Sequence, residues 1–143
     1  MPAVSRAEIV IDKPIAVVFG ELVDFGRWAR WMPSVFRPFR GPQRPLSVAD
    51  QIIVRLGGAL PMGLRVLRVS PNAELTWRGG LPGLLVGEHA FFFDDLGSGR
   101  TRVRSEEHFE GLLAHVPLLQ ALVARSGEKA GAAMLDALAR AVA

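Results

Sequence analysis

Hydrophobic and polar positions follow two rhythms along this chain. Val4 to Ile11 carries no Gly or Pro and ends on β-branched residues, which predicts a first strand. Ile15, Val18, Phe19, Leu22 and Val23 then recur at helical spacing, with Asp12 placed to cap the helix and Pro14 suited to its first turn. Gly26 ends that helix, and Arg27 to Trp31 forms a short second one stopped before Pro33. A strand rhythm takes over near Val35–Arg40, Asp50–Leu56, Leu64–Val69, Glu74–Arg78, Leu84–Asp94 and Arg100–Glu110. A long helix begins near Pro117, with Leu119, Leu122, Val123, Ala130, Ala133, Met134, Ala137 and Leu138 on one stripe.

Alternation within the strands says which side chains point inward. In the last strand Arg102, Arg104, Glu106 and His108 share a uniformly polar face, so Val103, Ser105, Glu107 and Phe109 face the core. The Gly97-Ser-Gly99 hairpin turn pairs this strand with the one before it, placing Phe91 near Val103 and turning Gly87, His89, Phe91 and Phe93 inward. His89 then lies within one step of Glu107. Arg78 and Arg55 must face water, which turns Leu75 and Trp77, and Ile52, Val54 and Leu56, toward the core.

The connections alternate as well. They are polar at Arg40–Pro45, apolar at Gly57–Gly63, polar at Ser70–Asn72, apolar at Gly79–Leu85 and polar at Asp94–Gly99. Successive turns of an antiparallel meander fall at opposite ends of the sheet, so one end is polar and the other is lined with leucine, proline and methionine. Joined there by Gly111-Leu-Leu-Ala-His-Val-Pro-Leu-Leu119, the apolar turns read as the lips of a hydrophobic opening.

Composition narrows the classes. The 143 residues suit a single domain, 1–143, and a hydrophobic share of 50% argues against disorder. With no cysteine there are no disulfides or thiolate sites. No segment approaches a membrane span and no leader pattern opens the chain, so a soluble, cytoplasmic protein is the expectation. The net charge of +3 comes from arginines scattered along strand faces, without the clustered basic and aromatic stripe of a nucleic-acid binder, and no nucleic-acid partner is expected.

One strand, two short helices, an antiparallel meander and a long terminal helix suggest a curved sheet wrapped around that helix. The segment Pro14-Ile-Ala-Val-Val-Phe-Gly-Glu-Leu-Val-Asp24, followed by Trp28, Trp31 and Pro33, resembles the opening of the START/polyketide-cyclase-like ligand-binding superfamily (SRPBCC). Val66 to Pro71, Leu75-Thr-Trp77, Glu88-His-Ala-Phe91 and Glu107-His-Phe-Glu-Gly-Leu-Leu113 continue the likeness over nearly the whole chain. The resemblance implies an α+β helix-grip fold with about seven antiparallel strands and two short helices between the first and second. Members include lipid carriers, hormone receptors and cyclases, so fold alone does not name an activity. In the hormone-receptor members two loops act as gate and latch, and by resemblance these are Gly57–Gly63 and Gly79–Leu85.

The expected ligand is a hydrophobic small molecule, lipid-, isoprenoid- or polyketide-like, held between sheet and terminal helix. Its lining is expected from the inward Val54, Leu56, Trp77, Phe91, Phe93, Val103, Ser105 and Phe109. Leu60, Met62, Leu81, Leu84 and Leu113 form the rim, and Ala130 and Met134 the helix face, where Ser126, Gly127, Ala130 and Ala133 are small enough either to leave volume or to pack closely. Trp28 and Trp31 either line the cavity or anchor the short helix. His89 and Glu107 are a convergent polar pair with three readings. They orient a ligand hydroxyl or carbonyl, they serve as base and partner in a cyclase or dehydratase, or they form a buried structural hydrogen bond with Ser105. No transferable catalytic motif maps onto the chain, which favours a binder over an enzyme. No cofactor is called for, and no metal site either, because His108 has outward parity and His89, Glu107 and His115 lack ligand spacing. A rival reading makes the apolar rim a protein interface, and the chain an interaction module or homodimer.

Overall fold

The computed structural model describes residues 4–143. Strand β1 (Val4–Ile11) leads to helix α1 (Ile15–Val23), a 3-10 turn (Phe25–Arg27) and the short helix α2 (Trp28–Trp31). Six strands follow: β2 (Phe36–Arg40), β3 (Gln51–Leu56), β4 (Leu60–Ser70), β5 (Glu74–Leu81), β6 (Leu85–Gly97) and β7 (Arg100–Glu110). A 3-10 turn (Leu112–Ala114) then leads into helix α3 (Pro117–Val142). The strands make one antiparallel sheet in the order β1-β7-β6-β5-β4-β3-β2, the expected helix-grip arrangement.

Local chemistry departs from the expectation at several ends. Asp12 does not cap α1; the Pro14 carbonyl accepts from Val17 and Val18 at 3.0 and 3.2 Å, while the exposed Asp12 reaches back to Arg100 at 3.2 Å. The helix stops at Val23 rather than Gly26, because the Asp24 carboxylate accepts from the Gly26 amide at 3.0 Å and opens the 3-10 turn. Strands β4, β5 and β6 run longer than their polar patterns suggest, with Leu56 opposite Leu60 and Leu81 opposite Leu85. The proposed gate and latch are therefore hairpin tips of three residues each, not long flaps. The second tip is strapped to the β7–α3 link, where Leu112 and Leu113 donate to Gly83 and Leu84 at 3.0 Å each.

Bulges bend the sheet. Register shifts at Pro38/Arg40, Val66/Arg68 and Asp95/Gly97 each insert one unpaired residue, which increases local twist and coils the sheet around α3. The β6–β7 register also differs from the expected one, by two residues. Phe93 lies opposite Val103 and Phe91 opposite Ser105, so His89 stands directly across from Glu107.

The core forms where α1, α2 and the C-terminal half of α3 cover the concave face. Trp28 is fully buried, donates its indole N–H to the Leu22 carbonyl at 2.8 Å, and packs on Phe25, Phe36 and Trp77. Phe19, Phe91, Phe93, Val103, Leu135 and Leu138 complete the cluster, where each fully buried apolar side chain contributes about 1.5–3 kcal/mol. The buried stripe of α3 is Gly127, Gly131, Met134, Leu135, Ala137, Leu138 and Val142, turned slightly from the expected one, and Leu122 at the other end is 54% exposed.

Two glycines set how close α3 comes. A Cβ on Gly127 would collide with the Ser5 side chain and stand 3.0 Å from Phe109; one on Gly131 would stand 3.0 Å from the Ser105 hydroxyl. Gly20, on the open face of α1, has nothing within 4 Å of its Cβ position. Gly20→Ala should therefore stabilise by up to about 1 kcal/mol through helix propensity alone. Gly127→Ala should instead cost about 1–2 kcal/mol, since overpacking outweighs the same gain. Thermal or denaturant unfolding of the two variants checks the opposite signs.

Candidate functional site

Because α3 lies close over β1 and β7, the rest of the concave face stands away from it. The space is a cavity of about 410 Å³, lined by Phe36, Leu56, Met62, Leu64, Trp77, Leu85 and Phe109 from the sheet and by Leu122, Val123, Ser126, Ala130 and Met134 from the helix. It opens between the β3–β4 tip, the β5–β6 tip and the first turns of α3. Exposed leucines crowd this mouth: Leu60, Leu81, Leu84, Leu112, Leu118 and Leu122 are each at least 40% exposed. The apolar rim anticipated from the turns is thus a physical surface of the molecule.

A row of side chains crosses four strands at the cavity floor. Ser5 on β1 faces Glu107 on β7, which faces His89 on β6, which faces Trp77 on β5. The Ser5 hydroxyl donates to the Ala124 carbonyl of α3 at 2.7 Å, tying the helix to the edge of the row. His89 stacks on Phe91, with centroids 4.4 Å apart, and meets the edge of Trp77 at 5.4 Å. Its Nε2 shares a 2.7 Å hydrogen bond with the Ser105 hydroxyl, and its Nδ1 lies 3.8 Å from Glu107 Oε1.

That 3.8 Å approach is not an ion pair. Burial holds the His89 imidazole down to about 3 and pushes the Glu107 carboxyl up to about 7, so around neutral pH His89 is uncharged and Glu107 is divided between its two forms. Among the lining residues these two alone are ionisable. Gly87 makes the berth for the carboxyl, since a Cβ there would sit 2.7 Å from Glu107 Oε2. Protonated, Glu107 can donate to a carbonyl or act as an acid; ionised, it can accept from a hydroxyl or act as a base.

Of the residues anticipated from sequence, Leu56, Met62, Trp77, His89, Glu107, Phe109, Ala130 and Met134 line the cavity. Leu60, Leu81 and Leu84 stand on its lip, and Leu113 belongs to the link beside it. Val54, Phe91, Phe93 and Val103 lie in the packed core, and Ser105 sits behind His89. Trp28 is core as well. Trp31 packs against the core with an indole N–H that has no hydrogen-bond partner among the described residues. Sequence reasoning missed Val35, Phe36 and Leu64: Phe36-Arg-Pro-Phe-Arg40 alternates ambiguously, and the bulge at Phe39 hides its parity. Among the described residues no group of three His, Asp or Glu could hold a metal ion, and no helix is long and apolar enough to cross a membrane.

Solved structures share this architecture at low identity. The aromatase/cyclase from Streptomyces sp. R1128 matches with a TM-score of 0.77 at 13% identity, over 99% of this chain and 94% of that one. Norcoclaurine synthase from Thalictrum flavum, solved with dopamine and hydroxybenzaldehyde, matches with a TM-score of 0.74 at 11% identity, over 99% and 87%. A hypothetical protein from Helicobacter pylori matches with a TM-score of 0.73 at 19% identity, over 100% and 89%. At such identities the likeness is one of fold. No curated protein matches the chain by sequence. The family model for polyketide cyclase/dehydrase and lipid transport proteins matches residues 2–143, and with the helix-grip fold and its floor of polar residues in view, the chain belongs to that family.

Proposed function

We propose that this protein binds a hydrophobic small molecule, lipid-, isoprenoid- or polyketide-like, with Glu107 and His89 orienting a hydroxyl or carbonyl at the cavity floor. The observation that carries the reading is the cavity itself. Protein cores pack densely, with few voids larger than a water, so about 410 Å³ of apolar-walled space is within the range of a ligand site and far beyond a packing defect. A neutral imidazole beside a carboxyl that is only partly ionised at neutral pH suits a neutral oxygen function on the ligand. The aromatase/cyclase and the dopamine-bound synthase support the reading by housing small-molecule chemistry in the same fold.

A second reading, a cyclase or dehydratase with Glu107 as base, is favoured by one observation. A carboxyl held near 7 beside a neutral imidazole is poised to exchange protons at neutral pH. The two readings part on Glu107→Gln. An orienting role predicts that the variant binds an apolar fluorescent probe bearing a carbonyl about 1–3 kcal/mol more weakly, with no reaction to lose. A base predicts near-unchanged affinity for a poly-ketone substrate and loss of its turnover. Ala130→Trp should abolish uptake on either reading while circular dichroism stays native; a variant that still binds the probe would place binding elsewhere.

The pH dependence follows from the same carboxyl. Unfolded, it titrates near 4.5; folded, near 7, so the native state holds the proton more tightly. The protein's stability relative to Glu107→Gln should be independent of pH below 4.5, decline between 4.5 and 7, and level off above, by at most about 3 kcal/mol. His89 acts on the acid side, where the unfolded imidazole protonates below 6.5 and the native one does not until about 3, so stability falls as pH drops through that window. Urea unfolding of both proteins at pH 4, 6 and 8 reads the difference; a wild-type protein that gained on the variant as pH rose would contradict the buried carboxyl.

A further inference from the structure

Charge is partitioned along this chain. Between Phe25 and Ala73 stand eight arginines and a single carboxylate, Asp50, although the remainder carries nine basic and thirteen acidic residues. The fold gathers the basic part at one side of the sheet. Across the outer face of β4–β7 most arginines are matched: Arg68 by Glu74 at 2.7 Å, Arg78 by Glu110 at 3.2 Å, Arg104 by Asp94 at 3.1 Å, with Arg102 on β7 an exception among the described residues. On β2–β4, Arg37, Arg40, Arg55 and Arg65 form no ion pair among the described residues. Arg37 stands directly opposite Arg55, and Arg65 directly opposite Arg78. Like charges in such positions destabilise a sheet; Arg37 offsets this by donating to the Met32 and Ala29 carbonyls at 2.9 and 3.2 Å and Arg55 by covering the Phe39 ring, whereas Arg65 has no such partner among the described residues. A local rule broken without return inside the fold points to a partner outside it.

We propose that the outer face of β2–β4 docks an acidic protein surface, seated on Arg40, Arg55 and Arg65 beside the cavity mouth. Two shallow grooves share Arg65 and Arg78; one runs past Gly63 to Arg40, the other reaches Pro82 and Gly83 at the lip. Exposed Phe39 stands among the arginines, and arginine with aromatics is the usual composition of a protein interface. A nucleic acid fits less well, because the Arg55 guanidinium already covers the Phe39 ring at 4.1 Å and no open stacking platform remains. A bilayer touching the lip would miss most of the patch: Arg65 lies five residues behind Leu60, about 17 Å along the strand, beyond a Debye length of about 8 Å. Sheet position adds to the fit, since β2 is an edge strand whose outer side is open to a partner.

The test uses the full chain and labelled poly-L-glutamate as the acidic probe, followed by fluorescence anisotropy at low and physiological ionic strength. Arg40→Gln/Arg55→Gln/Arg65→Gln should weaken binding at least about tenfold, whereas the charge-matched Arg6→Gln/Arg100→Gln/Arg102→Gln should change it less than about twofold. Arg65→Gln alone should weaken binding while its melting temperature holds or rises, because it relieves Arg78; a merely structural arginine would lower it. Equal losses in both triple variants, or no binding at low salt, would overturn the proposal. So would tighter binding of poly-uridylate or phosphatidylglycerol vesicles through the same three arginines, which would name a different class of partner.

Discussion

The close approach of α3 to β1 and β7 governs the rest of the structure. Gly127 and Gly131 leave no side chain between the helix and Ser5, Phe109 and Ser105, and the Ser5 hydroxyl reaches a helix carbonyl across the gap. A helix drawn against one side of a coiled sheet must stand away from the other. Beyond Met134 toward the C-terminus, Leu135, Leu138 and the α1 and α2 side chains fill that separation. Toward the N-terminus of α3, the facing residues are Ser126, Ala130 and Val123, and the separation remains as the cavity. Close packing and open volume are therefore two outcomes of one small-residue stripe.

The polar floor depends on the same geometry. His89 is enclosed by Trp77, Phe91 and Ser105, so water cannot stabilise its charged form. Glu107 keeps contact with the cavity through the space left at Gly87, and its carboxyl rises only to about 7. Opposite shifts on neighbouring groups leave a site that offers hydrogen bonds without a fixed charge. An apolar guest with one oxygen function suits such a floor better than a carboxylate, for which no lining cation is available among the described residues.

Electrostatics outside the cavity divide along a different line. Acid and base meet across the outer faces of β4–β7, where cross-strand pairs such as Arg68 with Glu74, Arg78 with Glu110 and Arg104 with Asp94 neutralise each other. On β2–β4, at the side of the sheet that ends in edge strand β2, Arg37, Arg40, Arg55 and Arg65 have no acid to answer them among the described residues. A surface of this kind is solvated easily and gains little stability from its charges. Its arrangement beside the mouth couples, in space, the entry to the cavity with the most basic part of the molecule.

Much of this was legible in residue order. Period-two alternation in β7 turned Glu107 inward because its neighbours Arg104, Glu106 and His108 had to be solvated, and the alternating polar and apolar turns revealed which end of the sheet was open. Helix and strand order, with the Pro14 to Pro33 opening, pointed to the helix-grip fold found here. What the sequence left open were quantities set by distance. Bulges at Phe39, Leu67 and Leu96 shift register by one residue, and nothing local distinguishes a bulged residue from a paired one, so the pairing of His89 with Glu107 and the inward turn of Phe36 awaited the folded sheet. Trp28 is core rather than lining because its indole finds the Leu22 carbonyl, a partner six residues back that only the turn at Asp24 brings within reach. Glycines carry no hydrophobic signal, yet Gly87 makes room for a carboxyl and Gly127 admits a serine and a phenylalanine. Alternation determines which way a side chain points; how much space it meets there depends on the neighbours that tertiary packing brings against it.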